Sequence, residues 1–158
     1  MREEKCSFIG CLFRLATVAV AVYGAVTAAK NVLARLSRRM EEDNEENEQK
    51  RYLVGLGARE ICLEDKEISG VDLTVIGGCA ELDLCDAIFS GEIFVKVRAL
   101  GGKVVMKVPP MVRVALDGKG VFCGFSNQVP FYEDEALPVI YVNADSFGAC
   151  VKTVLGEE

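Results

Sequence analysis

The charged side chains best suited to chemistry are Asp83, Arg98 and Lys107, which lie in segments where polar and apolar residues alternate. Clusters of these residue types can cleave acidic polysaccharides. The chain of 158 residues, however, contains neither histidine nor tryptophan, so it lacks the commonest general base and an indole to stack on sugars. Charges that alternate along a strand are ordinarily a solvated face. We therefore expect no enzymatic activity and no cofactor.

Cysteines are the other reactive side chains, and the sequence has seven of them. No C-x-x-C pair occurs, and without histidine no zinc-ligand pattern is present. Cys79, Cys123 and Cys150 lie at or near the position of the repeated glycine, where a small side chain fits a sharp bend. We predict reduced cysteines that pack in the core as small apolar side chains, in a cytosolic setting, with disulfides or metal binding as the alternative. The cysteines are Cys6, Cys11, Cys62, Cys79, Cys85, Cys123 and Cys150.

A repeat of short β-type segments organises the chain after residue 50. Glycine recurs at Gly78, Gly102, Gly124 and Gly148, with spacings of 24, 22 and 24 residues. A period in the low twenties is typical of stacked coils, and glycine lets the backbone turn a corner or approach the next coil. The pattern predicts an all-β fold built as a single-stranded β-helix, or solenoid, of about 22–24 residues per coil. A β-sandwich with glycine-containing turns is the alternative.

Alternation within the repeat predicts which side chains point into the core. After Gly78 the apolar residues fall at even positions such as Leu82, and after Gly102 they do so at Met106. The same phase counted from Gly148 places Lys152 inside, which predicts an atypical last coil. The glycines that we expect to be structural are Gly77, Gly78, Gly101, Gly102, Gly124 and Gly148. Asp117-Gly118 predicts a turn.

An apolar segment precedes the repeat. Residues 15–29 are apolar apart from two threonines and the glycine and tyrosine between them, and the stretch from Ser7 to residue 29 is interrupted only by Arg14. About 20 apolar residues can span a membrane as a helix, and no cleavage site of a secretory signal follows. We expect residues 1–40 to form a helix that anchors the chain in or on a membrane. A helix that pairs with itself or with the β domain is the alternative.

Charge is distributed unevenly along the chain. Residues 1–40 carry seven Lys/Arg and two Asp/Glu, residues 41–50 carry six acidic residues and one lysine, and the whole chain has a net charge of −6. Residues 41–50 contain no apolar side chain, which predicts a solvated acidic linker before a β domain over 51–158. No basic face is evident in that domain, so we expect no nucleic-acid binding.

The basic residues beside the apolar segment predict the side of the membrane. They lie mostly after it, and by the positive-inside tendency the β domain would then be cytoplasmic; a wholly cytoplasmic protein is the alternative. The possible membrane-flanking residues are Arg14, Lys30, Arg35, Arg38 and Arg39.

Three blocks of the repeat resemble the C-terminal domain of LiaF-type cell-wall-active antibiotic response proteins, over residues of about 60–154. The family's G-G-x-x-x-D-L-x-x-A, G-G-x-x-x-x-V-P and closing F-G-G-x-x-V-K blocks are similar to residues 77–87, 101–109 and 147–152. The resemblance implies a non-catalytic β-rich domain at the inner face of the bacterial membrane. In LiaF that arrangement restrains a sensor histidine kinase of the envelope-stress response.

Together these features predict a membrane-tethered β-repeat module that acts through a protein partner in envelope-stress signalling or maintenance. The partner would be a sensor kinase or another membrane protein, and homo-oligomers are compatible with the repeat. The alternative is a soluble scaffold that assembles through the ends of stacked coils.

Overall fold

A computed structural model describes residues 3–44, 49–64, 67–88, 91–134 and 136–156, and within them the side chains of residues 3–21 and 43 fall outside the description. Within these ranges the chain forms one helix followed by seven strands, so the all-β prediction with an N-terminal helix is confirmed. The elements are α1 (Glu3–Asp43), β1 (Gln49–Val54), β2 (Ala58–Cys62), β3 (Gly70–Asp83), β4 (Ile93–Val108), β5 (Arg113–Val121), β6 (Gly124–Asn127) and β7 (Val139–Leu155).

Every strand pairing in the described ranges is parallel, and the strands form one sheet in the order β1-β3-β4-β7-β5. β2 continues beside β3 where β1 ends, and β6 continues beside β7 where β5 ends. β4 ends at Val108 immediately before two prolines, which have no backbone N–H to donate to a ladder.

The strand order departs from the order of the chain at one point. β7 is the last strand in sequence, yet it lies between β4 and β5. In a solenoid whose coils stack in chain order, β5 would lie between β4 and β7, so the last two long strands depart from that order. The sequences explain the exchange: β7 has neighbours on both sides and buries Ile140, Val142 and Val151, whereas β5 contains two glycines and is mostly exposed or half-buried, as suits an edge.

Each long strand turns at a glycine with left-handed φ. The φ angles are 65° at Gly77 in β3, 71° at Gly101 in β4 and 62° at Gly148 in β7. Before Gly77 the buried apolar side chains of β3 are odd-numbered, as at Val75, and after it they are even-numbered, as at Leu82. The left-handed residue thus resets the alternation, and both halves of the strand bury their apolar side chains in the same core.

The inward positions predicted after Gly78 and Gly102 are confirmed, because Leu82 and Met106 are fully buried. The prediction for Lys152 is wrong. Gly148 occupies the position of Gly101 and not that of Gly102, since Gly102 pairs with Ala149. The inward residues of β7 are therefore Val151 and Thr153, and Lys152 points outwards in the column of Val105.

Helix α1 reaches beyond the predicted residue 40, to Asp43. Within the described part of the chain, no helix combines the length and the apolar character needed to cross a membrane. Much of the predicted anchor, including Arg14, lies among the side chains outside the description. Of the predicted linker, residues 45–48 are likewise outside it, and Asn44 is buried instead of solvated. Its burial is possible because hydrogen bonds to Arg51 satisfy its amide group.

Candidate interaction surface

Five of the six predicted structural glycines fall into two groups. Gly77, Gly101 and Gly148 occupy one position of neighbouring strands and turn the chain there with left-handed φ. Phe122 occupies the same position between β5 and β6, with a φ of 54°. Residues other than glycine seldom adopt this left-handed conformation.

The second group contains Gly78 and Gly102, which are direct partners in the ladder between β3 and β4. A Cβ on Gly102 would collide with the backbone of Gly78, so this position requires glycine for close approach. Gly124 belongs to neither group, because it lies two residues past the corner and pairs with Cys150. The even spacing of glycine in the sequence therefore hides three different positions.

A row of apolar side chains, exposed except for the half-buried Ile76, crosses the outer face of the sheet at the turn formed by Gly77, Gly101, Gly148 and Phe122. Ile76 pairs with Leu100, Leu100 with Phe147, and Phe147 with Val121. Leu100, Phe147 and Val121 are each more than half exposed, and the ring of Phe122 meets that of Phe147 edge-to-face at 6.3 Å. We call these five residues the apolar row: Ile76, Leu100, Phe147, Val121 and Phe122. Exposed apolar side chains that lie next to one another commonly mark a binding surface.

The apolar row has a pattern in the sequence that alternation alone does not reveal. Ile76, Leu100 and Phe147 each directly precede the glycine with left-handed φ. Alternation assigns these positions to the outer face, where a polar residue is expected, so three large apolar residues at one such position are unusual.

At the other end of the same outer face, Phe94 and Tyr141 stack with ring centroids 5.3 Å apart and an interplanar angle of 12°. Two columns of mostly polar residues separate this aromatic pair from the apolar row. One of them contains Asp72, which pairs with Arg98 in the next column at 3.1 Å. Oδ2 of Asp72 accepts the hydrogen bond from Arg98, whereas Oδ1 is buried and has no hydrogen-bond partner.

Of the three residues considered for polysaccharide chemistry, Asp83 and Lys107 are neighbours on adjacent strands, but Arg98 lies apart from them. Lys107 lies after the corner, where its Nζ is 2.7 Å from Oε1 of Glu81 and 3.9 Å from Oδ2 of Asp83. Arg98 lies before the corner on another part of the surface and pairs with Asp72. Hydrogen bonding to Glu81, together with the charges of both carboxylates, raises the pKa of Lys107. The amine is therefore held as a cation and is unsuited to act as a base.

Asp83 and Cys85 form a small hydrogen-bonded pair at the end of β3. Burial alone would raise the pKa of Asp83, but hydrogen bonds from the Cys85 side chain and backbone, and the charge of Lys107, lower it overall. Burial, with the hydrogen bond and charge of Asp83, raises the pKa of Cys85 to about 12. The Cys85 thiol is thus protonated and unreactive at neutral pH.

The cysteines with described side chains are free, but the prediction that they lie in the core is wrong. Cys62, Cys79 and Cys150 are exposed, and Cys85 and Cys123 are half-buried. Cys79 and Cys150 face outwards because the corner resets the alternation, so that their neighbours Ala80 and Val151 take the inward positions. Cys6 and Cys11 lie outside the described side chains. Within the described ranges no group of three or more potential ligands could hold a metal ion.

One end of the sheet is covered by the last turns of α1. Leu33 lies against Gly55, and the Arg59 guanidinium pairs with Glu41 and donates to Ser37 Oγ at 2.7 Å. Arg59 pairs with Ala80 in the ladder, so its side chain occupies a position that other strands fill with core residues. A polar contact with the helix therefore closes this end of the core.

Asn44 completes the cover on the edge of β1. Its Nδ2 donates to the carbonyl oxygen of Arg51 at 2.6 Å, and its Oδ1 accepts from the Arg51 N–H at 2.7 Å. The amide satisfies both backbone groups that an added strand would use at this residue. Asn44 and Tyr52 both line a cleft of about 590 Å³, in which burial and the charge of Glu41 raise the pKa of Tyr52.

The predicted membrane-flanking residues with described side chains are all exposed: Lys30, Arg35, Arg38 and Arg39. None of them makes a salt bridge with a described acidic side chain, although Lys30 lines a shallow groove between the helix and the sheet. Their charges are therefore available to an anionic surface.

The other end of the sheet, at β5 and β6, is not covered in the same way by any described residue. Val114, Leu116, Phe125 and Val129 pack against the core yet are only half-buried. Arg113 donates its N–H to the carbonyl of Pro138 next to β7, so the backbone groups of the even-numbered residues of β5 face away from the sheet. Of these groups, the Val114 carbonyl accepts from Asn127 Nδ2 at 3.3 Å.

Comparisons with known proteins show little similarity to this chain. No family model matches the chain, and no curated protein matches it. Among solved structures, a putative cell adhesion protein from Clostridium sporogenes ATCC 15579 is similar, with 15% sequence identity and a TM-score of 0.46. The match covers 68% of this chain and 56% of that one, so this chain spans little more than half the length of that protein.

Proposed function

We propose that this protein is a non-enzymatic module that its N-terminal helix tethers to a membrane, and whose β body binds a protein partner in cell-envelope stress signalling or maintenance. One observation carries the proposal. Helix α1 packs on the β body through its last turns, at Leu33, Ser37 and Glu41, whereas Val22, Tyr23 and Val26 are exposed. An apolar helix that leaves the body needs another apolar surface to cover it.

We infer that the sheet winds around the core as the coils of a single-stranded β-helix. Two observations support this. Both halves of the long strands bury side chains in one cluster. The chain also returns beside itself after 21, 24 and 26 residues, at the pairs Gln49/Gly70, Gly70/Phe94 and Arg113/Val139. Returns of this length match one coil of a solenoid.

The surface that we assign to the partner is the apolar row. The partner is a membrane protein, because the anchor holds the β body beside the bilayer and the exposed basic residues from Lys30 to Arg39 favour its cytoplasmic side. The resemblance to LiaF-type proteins supports a sensor kinase as this partner. Leu100 and Phe147 are the two most central members of the row, and large side chains near the centre of an interface commonly carry most of the binding energy.

Fractionation of cells tests the tether. The full chain should sediment with membranes, and a variant that lacks residues 1–29 but keeps Leu33, Ser37 and Glu41 should become soluble. Replacing Arg35, Arg38 and Arg39 with glutamine should weaken attachment and make it more sensitive to salt, because the charges act at the lipid surface. A full chain found wholly in the soluble fraction would contradict the tether.

Site-specific photo-crosslinking tests the partner surface. A photoreactive residue in place of Leu100 should give one discrete adduct in the membrane fraction, and Phe147→Ser should abolish it. The matched control is a photoreactive residue in place of Phe94, which is exposed to a similar degree on the same face of the sheet. Equal adducts from both positions would show that the apolar row is not the surface used.

The second candidate function, a soluble self-assembling scaffold, draws support from the open end of the sheet at β5. Its head-to-tail form is disfavoured, because α1 and Asn44 occupy the opposite end. Light scattering of the full chain in detergent distinguishes the candidates: long polymers would favour the scaffold, and small particles would favour the tethered module.

A further inference from the structure

We propose that β5 is a dimerisation strand, which pairs antiparallel with β5 of a second copy around a twofold axis at Gly118. This surface is the outer edge of β5, which meets the apolar row only at Val121, the last residue of the strand, and it does not depend on the membrane tether. The inference rests on three observations: the direction of the backbone groups of β5, the order of charges along it, and the blocked edge at the opposite end of the sheet.

The backbone of β5 offers hydrogen-bonding groups on its outer side. Odd-numbered residues bond to β7, as the Arg113 N–H bond to Pro138 shows, so the N–H and C=O groups of Leu116, Gly118 and Gly120 point away from it. No described strand pairs with this side. Residues that point outwards in this way can exchange pairs of hydrogen bonds with an antiparallel neighbour.

The charges of β5 select one register for this pairing. Asp117 and Lys119 flank Gly118, and both side chains are mostly exposed, with Lys119 Nζ 3.6 Å from Asp117 Oδ2. With Gly118 opposite its own copy, Asp117 of each chain lies opposite Lys119 of the other. The same register puts Leu116 opposite Gly120, so all the residues with free backbone groups face each other and about six hydrogen bonds form.

Charged residues on an edge strand often discourage pairing. In β5, however, the order of the charges allows a register in which opposite charges face each other. A register centred on Asp117 or on Lys119 would set like charges against each other, and those centres carry the wrong backbone direction. The Gly118 register is the one that satisfies both charge and hydrogen bonding. It also continues the sheet over the half-buried Leu116 and Phe125, which end the core.

The opposite edge explains why assembly stops at two copies. The backbone groups of Arg51 in β1 are both bonded to Asn44, and α1 lies beside them. A twofold interface uses the same surface on both chains, so pairing at β5 consumes the open edge of each. The product is a closed dimer and not a fibre.

Charge reversal tests the pairing in the full chain, in mild detergent so that the apolar helix does not associate. Sedimentation equilibrium should give a dimer for the natural chain. Asp117→Lys and Lys119→Asp should each weaken dimerisation about tenfold or more, because two facing pairs become repulsive, and the double exchange D117K/K119D should restore it. Lys103→Asp, the same change at an exposed position on another strand, is the control and should have no effect.

Cross-linking tests the register itself. Ala115 lies opposite Val121 of the other copy, so a mixture of the Ala115→Cys and Val121→Cys variants should form an intermolecular disulfide on mild oxidation, above the level of the natural chain. Either variant alone should not. A natural chain that stays monomeric, or reversals that leave the dimer unchanged, would overturn the proposal, and neither result would bear on the membrane tether.

Discussion

Asn44 bonds both backbone groups of Arg51, seven residues along the chain, through its single side-chain amide. The contact joins the end of the helix to the first strand of the sheet. Asn44 is buried, so the same amide that ends the helix also closes the edge of the β body.

Asn44→Ala should lower the free energy of unfolding by about 1–3 kcal/mol, because it leaves two partly buried backbone groups without partners. Urea denaturation measures this loss. Hydrogen exchange of the Arg51 N–H should also become faster. Asn31→Ala, at an exposed helical position, is the matched control and should change stability little. An unchanged exchange rate at Arg51 would show that the amide contact is unimportant.

Two glycine substitutions should differ sharply in cost. Gly148→Ala meets no atom within 4 Å, so it should cost only the about 1–2 kcal/mol of a left-handed φ. Gly102→Ala should cost more than about 3 kcal/mol, because its Cβ also collides with the Gly78 carbonyl. Thermal unfolding of both variants measures the difference. Gly24→Ala, on the helix and free of contacts, should not destabilise; equal losses at Gly102 and Gly148 would contradict the close approach.

Much of the β body follows from local sequence. Alternation assigned the interior residues of β3 and β4 correctly, because a strand with one buried face must place its apolar residues two apart. It failed in β7, where counting from Gly148 put Lys152 inside. A glycine that turns the chain and a glycine that permits close approach look identical in sequence, and they lie one residue apart.

The candidate surfaces were less predictable than the core. Asp117-Gly118 predicted a turn, yet both residues lie within β5. The glycine is there because the ring of Phe125 occupies the space that a Cβ would need. Such a constraint comes from a residue on another strand, and no local pattern reports it. The apolar row likewise exists only because registers that are set by four strands bring single residues together.

The cysteines should differ in reactivity according to their surroundings. Cys85, whose pKa is raised to about 12, should resist alkylation at pH 8, whereas the exposed Cys79 and Cys150 should be labelled. Mass spectrometry after brief treatment with iodoacetamide identifies the labelled residues. Labelling of Cys85 at the rate of Cys150 would contradict the assigned environment.

The raised pKa of Cys85 also predicts a loss of stability in alkaline solution. The thiol of the unfolded chain ionises near its ordinary pKa of 9.0, while the pKa of the folded thiol is raised to about 12. Because the unfolded state then binds fewer protons, the free energy of unfolding should fall as pH rises through this window. Cys85→Ser should remove this part of the dependence, and denaturant titrations from pH 8 to 11 would measure it.

Asp83 should contribute in the opposite direction, in acid. Its pKa is lower in the folded protein, so its stabilising effect is present above the unfolded value of about 3.8 and is lost as pH falls through the folded one. Lys107→Met should bring the folded pKa back towards the unfolded value, because the amine is one of the groups that lowers it. Carbon-detected NMR titration of the Asp83 carboxyl measures this. A pKa that does not change in the variant would show that the hydrogen bonds from Cys85 act alone.

The place of β7 between β4 and β5 has a consequence for synthesis on the ribosome. β7 leaves the ribosome after β5 and β6 but lies between β4 and β5 in the sheet, so β5 and β6 have no neighbour to pair with until β7 emerges. The nascent chain can pair β1 to β4 as they emerge, but pairing of the next strands is delayed until β7 has been synthesised. A premature stop before Val139 would therefore leave the edge of β4 unpaired and β5 and β6 without a partner strand. Such a fragment would be prone to aggregate and to be degraded.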